Sequence, residues 1–378
     1  MGSPLHRIGL CLVLACAVST GLVGQRGAPQ PTKKALKPPK PWPDAQTAQK
    51  QRQDAEQRKL FATATPVEIT LTANFKAVQS DRHPDSTKTF PATLNYTNDD
   101  GTPATADVQI RTRGHMRRMF QTCDFAPLRV EFPKAQVKHS VFDAQSALKL
   151  GTHCREGVKD FEQYVLREYA AYRIHNLLTP RSFRARLAKV TYVDVTSKKR
   201  YPPRHGMFIE DDDDVAKRLG GRSTEDPAVL AGLNRDDFTT MAIFEYMIGN
   251  LDVSILAQHN VRLIELPSGP VYAVPYDFDY SGLVDTVYAI PPPTVKVGSV
   301  RERVFRGPCR TAPELETFFA PFRQIRPQLA PLYDSLTDMD AGTKKRALGF
   351  LDQFYKTLDK PATVKMAFID NCYKRGMM

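Results

Sequence analysis

Two hydrophobic periods divide this chain, and the change from one to the other is the strongest constraint on what it can fold into. Up to about residue 209 apolar side chains recur at every second position: Val67, Ile69 and Leu71, then Val108 and Ile110, then the runs 128–132 and 147–150, separated by Pro, Gly and Asp turns. A two-residue period turns one face of each strand inward, so this half reads as an antiparallel sheet. One helix interrupts it over about residues 160–178, where Phe161, Val165, Tyr172 and Leu177 fall near helical spacing and Pro180 ends the run. Strands resume over 187–193 and 206–209. Past the acidic run Asp211 to Asp214 the spacing becomes helical, over 235–249, 313–330, 342–358 and 361–375, with two short strand-like runs at 260–265 and 270–274. The expected organisation is a sheet-rich segment over 61–209 and a helical one over 210–378. No internal repeat is visible.

Composition supports a folded chain. Of 378 residues, 42% are apolar and 25% charged, which excludes a disordered or collagen-like polymer. Beyond the N-terminus no charge-free apolar run reaches 18 residues, so a polytopic helical membrane protein is excluded as well. Residues 1–24 have the form of an export signal: Arg7, a short apolar stretch from Ile8 to Val18, then small residues to Gly24. An uncleaved anchor, or lipidation at Cys16 after Val13, Leu14 and Ala15, is the alternative. The expected location is therefore exported: periplasmic, secreted or lipid-anchored.

Half of the chain's net charge of +12 lies in residues 25–60, where nine basic residues face three acidic ones and six prolines punctuate the stretch. Such a segment reads as an extended, solvated linker. Trp42 is its one aromatic residue, and without interleaved aromatics a spacer is favoured over a specific nucleic-acid contact. Outside the signal lie Cys123, Cys154, Cys309 and Cys372, with no close-spaced pair of the kind zinc sites use. Two disulfides are possible, with three connectivities open; at least one is expected, and Cys123 with Cys154 is the first candidate because both flank one sheet region.

The residues best suited to chemistry stand around the two late strands. A helix ends at Gly249, which places Asp252 in a loop; a strand starts at Asn260, and the second strand ends just before Asp277. Pairing those strands as a hairpin gathers the three polar groups at one end. Phosphoryl transfer needs that set: a carboxylate to orient or deprotonate the acceptor, and an amide with a second carboxylate to hold magnesium at the phosphates. The competing reading is that loop acids cap turns.

Over residues 105–310 the chain resembles the CotH-like secreted kinases. The likeness rests on Arg111-x-Arg113-Gly114, Arg167-Glu168, Gly206-x-x-x-Glu210, Asn250-x-Asp252, Asn260 and Asp277-x-Asp279. It implies a two-lobed α+β fold of the protein-kinase type, with an antiparallel-sheet N-lobe and a mainly helical C-lobe. It also implies transfer of a phosphoryl group from ATP to a protein hydroxyl. In that pattern Asp252 is the catalytic-loop aspartate, Asn260 and Asp277 hold magnesium, and Asp279 is a supporting acid. Lys149 in a strand pairs with Glu168 in the next helix to hold nucleotide phosphates, with Arg113 as a further nucleotide contact and Arg129 as the alternative one; an ordinary salt bridge or a solvated lysine is the competing reading of Lys149. His115-Met-Arg-Arg118 departs from the family's small polar residues and suggests an anion-binding loop of another design. Glu210 marks the segment between the lobes. His153, His205 and His259 show no metal-ligand spacing and read as structural, and Arg301, Arg303 and Arg306 read as surface charge. A catalytically silent binding or envelope protein is the alternative function.

Overall fold

The structure, a computed structural model, describes residues 41–373. The export signal and residues 25–40 of the expected linker lie outside that range. The rest of the linker is not extended. Helix α1 (Ala45–Glu56) starts at the side chain of Asp44, which accepts the Thr47 N–H at 2.9 Å. Its sequence beyond Pro43 is nearly all good helix formers. Arg58 then anchors the segment through a two-point ion pair with Asp214 at 2.6 and 2.8 Å.

The sheet expected over 61–209 corrects the kinase-type architecture. Strands β1 (Val67–Ala73), β2 (Phe90–Thr97), β3 (Pro103–Thr112), β4 (Leu128–Glu131), β5 (Ala147–Gly151), β6 (Ala185–Asp194) and β7 (Arg204–Ile209) form a closed barrel in the order β1-β2-β3-β4-β5-β7-β6. Short helix α2 (Phe75–Ser80) follows β1, and helix α3 (Lys159–Leu178) lies between β5 and β6. Six pairings are antiparallel; the seventh, β1 with β6, is parallel and runs from Val67 opposite Ala188 to Ala73 opposite Asp194. That pairing closes the sheet on itself, so the molecule is not the two-lobed kinase fold with an open antiparallel sheet. The two-residue period survives as inward-facing side chains: Ile69, Leu71, Leu94, Val108, Val130, Leu150, Val190 and Phe208 fill the barrel. At Gly206 a Cβ would sit 3.0 Å from the Gly151 carbonyl, a close approach only glycine permits.

A second core lies outside the barrel. Ala185, Leu187, Met207 and Ile209 face away from the barrel interior and join α3 in it. Helix α4 (Asp212–Arg218) and strand β8 (Arg222–Thr224) lead to α5 (Arg235–Ile248), then to the hairpin β9 (Val261–Glu265) and β10 (Val271–Pro275). Strand β8 adds to β9, making a three-stranded sheet. Helices α6 (Ala312–Ser335) and α7 (Ala341–Leu358), with the short α8 (Pro361–Val364) and a π-turn, complete this layer. The acidic run is a cap with assigned partners. Asp211 accepts the Asp213 N–H, Asp212 pairs with Lys149 and Arg262, and Asp214 pairs with Arg58. Glu210, fully buried, is held by Arg184 and Arg218 and is a structural anchor.

Two disulfides are present, Cys123–Cys154 and Cys309–Cys372. Among the described residues no helix is long and apolar enough to cross a membrane. Disulfides are compatible with an exported protein. Non-reducing peptide mass mapping should return these two bridges, and four free thiols would contradict the structure. Breaking Cys123–Cys154 should cost about 2–5 kcal/mol of stability by urea denaturation.

Candidate functional site

Helix α5 ends at Gly249 in the left-handed conformation, φ 66°, which a glycine takes without a Cβ penalty. The chain then turns sharply: Asn250 Oδ1 accepts the Asp252 N–H at 3.0 Å. Residues 252–260 close into a small loop through paired backbone bonds between Ser254 and His259. Inside it Asp252 is gripped on both oxygens, by His259 Nε2 at 3.1 Å and by Asn260 Nδ2 at 3.0 Å. Asn260 also donates to the Asp252 carbonyl at 2.8 Å. The Asp252 side chain keeps 28% of its surface exposed, enough for an approaching hydroxyl to reach it.

Hairpin pairing brings Asp277 to the same end, because the Asn260 carbonyl accepts the Tyr276 N–H at 3.0 Å. Asn260 and Asp277 both have positive φ, 53° and 64°, a left-handed state that Asn and Asp adopt more readily than other non-glycine residues. The Asp277 N–H is fixed by the hydroxyl of Tyr172 on α3 at 2.9 Å. One helical turn earlier α3 presents Glu168.

The residue that joins these pieces is Arg117. It stands in a 3₁₀ turn between β3 and β4 and is itself buried. Its Nη2 donates to Asp277 Oδ1 at 2.8 Å, its Nε lies 3.2 Å from Asp279 Oδ2, and its Nη1 lies 3.5 Å from Glu168 Oε2. One guanidinium thus faces three carboxylates, of which Glu168 and Asp279 are buried and Asp277 is half-buried. The excess negative charge shows in their titration. Burial, opposed by Arg117, raises Glu168 and Asp279 above the ordinary carboxylate range; Asp277 and Asp279 push Glu168 up further, and Asp277 does the same to Asp279. Burial opposes the charge of Asp277 too, but Arg117, Arg113 and Lys149 together keep it below its ordinary value. Tyr288 donates to Asp279 Oδ2 at 3.0 Å. Glu168 Oε1 has no partner.

Sequence reasoning expected Lys149 to pair with Glu168, and the structure separates them. Leu148 and Leu150 face the barrel interior, so Lys149 points outward, over the Tyr276 ring at 4.6 Å and onto Asp212 Oδ1 at 2.5 Å. Glu168 takes Arg117 instead. Arg129 lies beside Lys149 in register but pairs with Glu131 at 3.8 Å. Arg113 is close enough to lower Asp277, yet no carboxylate lies within ion-pair distance of it among the described residues. His259, read as structural, is hydrogen-bonded to Asp252, and Arg117, Tyr172 and Tyr288 had no assigned role. For Arg117 the one signal was the unusual His115-Met-Arg-Arg118 turn. Arg301 is surface charge in an exposed pair with Asp285, whereas Arg303 and Arg306 anchor the interior, on the Phe350 carbonyl and on the carbonyls of Leu251 and Val253.

The oxygens gathered around Asp277 are hard donors of the kind magnesium takes, and one buried carboxylate oxygen, Glu168 Oε1, is without a hydrogen bond among the described residues. Among the described residues no three His, Cys, Asp or Glu side chains converge as a ready-made metal cage. The chain matches no model of a known protein family, and no curated protein matches it either.

The Asp252 contact also sets a pH response. Its hydrogen bond raises the His259 imidazole above 6.5, against some loss from burial. A group with a raised folded value contributes stability that is complete below its unfolded value and is lost as pH rises through the folded one. NMR titration should therefore place His259 above 6.5, and Asp252→Asn should bring it back toward that value. A His259 midpoint at or below 6.5 in the parent protein would break the assignment.

Proposed function

We propose that this site carries out magnesium-dependent phosphoryl transfer from ATP to a hydroxyl of a protein substrate met after export, sharing the chemistry of CotH-like secreted kinases but not their architecture. The observation that carries the reading is the gathering of Asp252, Asn260 and Asp277 at one end of a single hairpin, with Asp279, Lys149 and Arg113 around them. Asp277 and Asn260 would hold the metal, with Asp279 in support. Magnesium, when bound, supplies neutralisation of the phosphate charge. Arg113 and Lys149 provide positive charge for the phosphates. Asp252, held on both oxygens and partly open to solvent, orients the acceptor hydroxyl and takes its proton.

A catalytically silent, anion-binding protein is the second reading, favoured by one observation. Two cations of the site are already satisfied from within: Arg117 holds Asp277, and Lys149 holds Asp212. Incubation with ATP labelled on its γ-phosphate, magnesium and a protein rich in serine and threonine separates the two readings. Metal-dependent labelling of the protein is the expected result. Nucleotide binding with no transfer to any hydroxyl would leave the silent reading in place.

A further inference from the structure

Behind the loop that carries Asp252 is a cavity of about 530 Å³, the size of a small-molecule site. Much of its wall is apolar, with Phe238 and Met241 from one face of α5, Val253 and Ile255 from the loop, and Leu233. Its polar groups are mismatched. Arg306 donates through Nη1 to the carbonyls of Leu251 and Val253 at 2.9 and 3.0 Å and through Nε to Tyr373 Oη at 2.7 Å, which fixes the guanidinium and leaves Nη2 without a partner. Arg235 donates to the Cys309 carbonyl at 2.7 Å. Neither arginine has a carboxylate within ion-pair distance among the described residues. Asn250 Nδ2 is buried next to the Glu245 carboxyl, outside strict hydrogen-bond geometry.

The one acid on the wall does not balance them. Glu245 is 5% exposed, and neither of its oxygens makes a hydrogen bond of acceptable geometry. Burial pushes its carboxyl up to about 8, against the pull of nearby Asn250 and Arg306, so near neutral pH it is mostly an uncharged acid. Near neutral pH the cations on the wall therefore outnumber its ionised acids. We propose that this cavity binds a free aliphatic monocarboxylate, its chain among Phe238, Met241 and Val253 and its carboxylate on Arg306 Nη2 and Arg235. The proposal is independent of the phosphoryl-transfer reading, since none of these side chains belongs to the Asp277 cluster.

Calorimetry on the full chain with sodium octanoate, octan-1-ol and octylamine tests it. Octanoate should bind at one saturable site, octanol at least tenfold more weakly, and octylamine without saturation. Arg306→Met should weaken octanoate at least tenfold and leave octanol unchanged, and Ala231→Trp, at an exposed position of the lining, should exclude both. The parent ranking alone decides if a variant folds poorly. Octanol or octylamine binding as tightly as octanoate, multi-site uptake by the basic surface, or octanoate binding unchanged in a folded Arg306→Met would each overturn the proposal.

Discussion

Replacing Arg117 with methionine should cost about 3–5 kcal/mol of stability, because removing one partner of a buried ion pair leaves the other charges uncompensated. The side chain is 9% exposed, and three carboxylates depend on it: Glu168 on α3, and Asp277 and Asp279 beyond β10. The loss should depend on pH in a definite direction. Glu168 already sits above its ordinary value of 4.5, so between that value and its folded one the native state holds a proton that the unfolded state releases. Native stability therefore falls as pH rises through this window. Without Arg117 both Glu168 and Asp279 rise further, and the variant should lose more at about pH 8 than at about pH 5. Urea denaturation at the two pH values measures it. An equal loss at both would mean that Arg117 acts by packing alone.

Asp277 and Asp252 should fail in different ways. Asp277→Ala removes one of the few carboxylates a magnesium site uses and frees Arg117 from its shortest contact, so metal-dependent nucleotide binding should disappear. Asp252→Ala lies across the loop, where it touches His259 and Asn260 and not the Arg117 cluster. It should keep nucleotide binding within a few fold and lower transfer by about 10²–10⁴-fold, the usual contribution of a positioned acid or base. Single-turnover transfer alongside equilibrium binding separates the two. Equal losses of binding in both variants would make Asp252 a structural residue of the site.

Local pattern carried much of this architecture and long-range pairing the rest. The helix over α3, the helix ending at Gly249 and the hairpin β9–β10 arise from periodicity and caps, which is why Asp252, Asn260 and Asp277 were expected at one end of a hairpin. Closure of the barrel was not legible, because it depends on β1 finding β6 across more than a hundred residues, and alternation specifies a buried face without naming a neighbour. Lys149 shows the same limit at one residue. Its strand position was readable, but its partner depended on Asp212 of α4, rather than Glu168 of α3, lying next to it. Arg117 was harder still, since nothing in a four-residue turn reveals that it reaches residues 277 and 279. The helix α1 was hidden by averaging over a mixed segment: the prolines end at Pro43, and residues 45–56 are helical by composition.

Titration calorimetry of the purified protein with ATP, with and without magnesium, asks whether the Asp277 cluster binds a nucleotide through the metal, the step on which phosphoryl transfer at this site depends. One saturable site is expected, requiring magnesium and lost in Asp277→Ala. Binding of equal strength without magnesium, or no binding by a folded parent protein, would contradict the assignment.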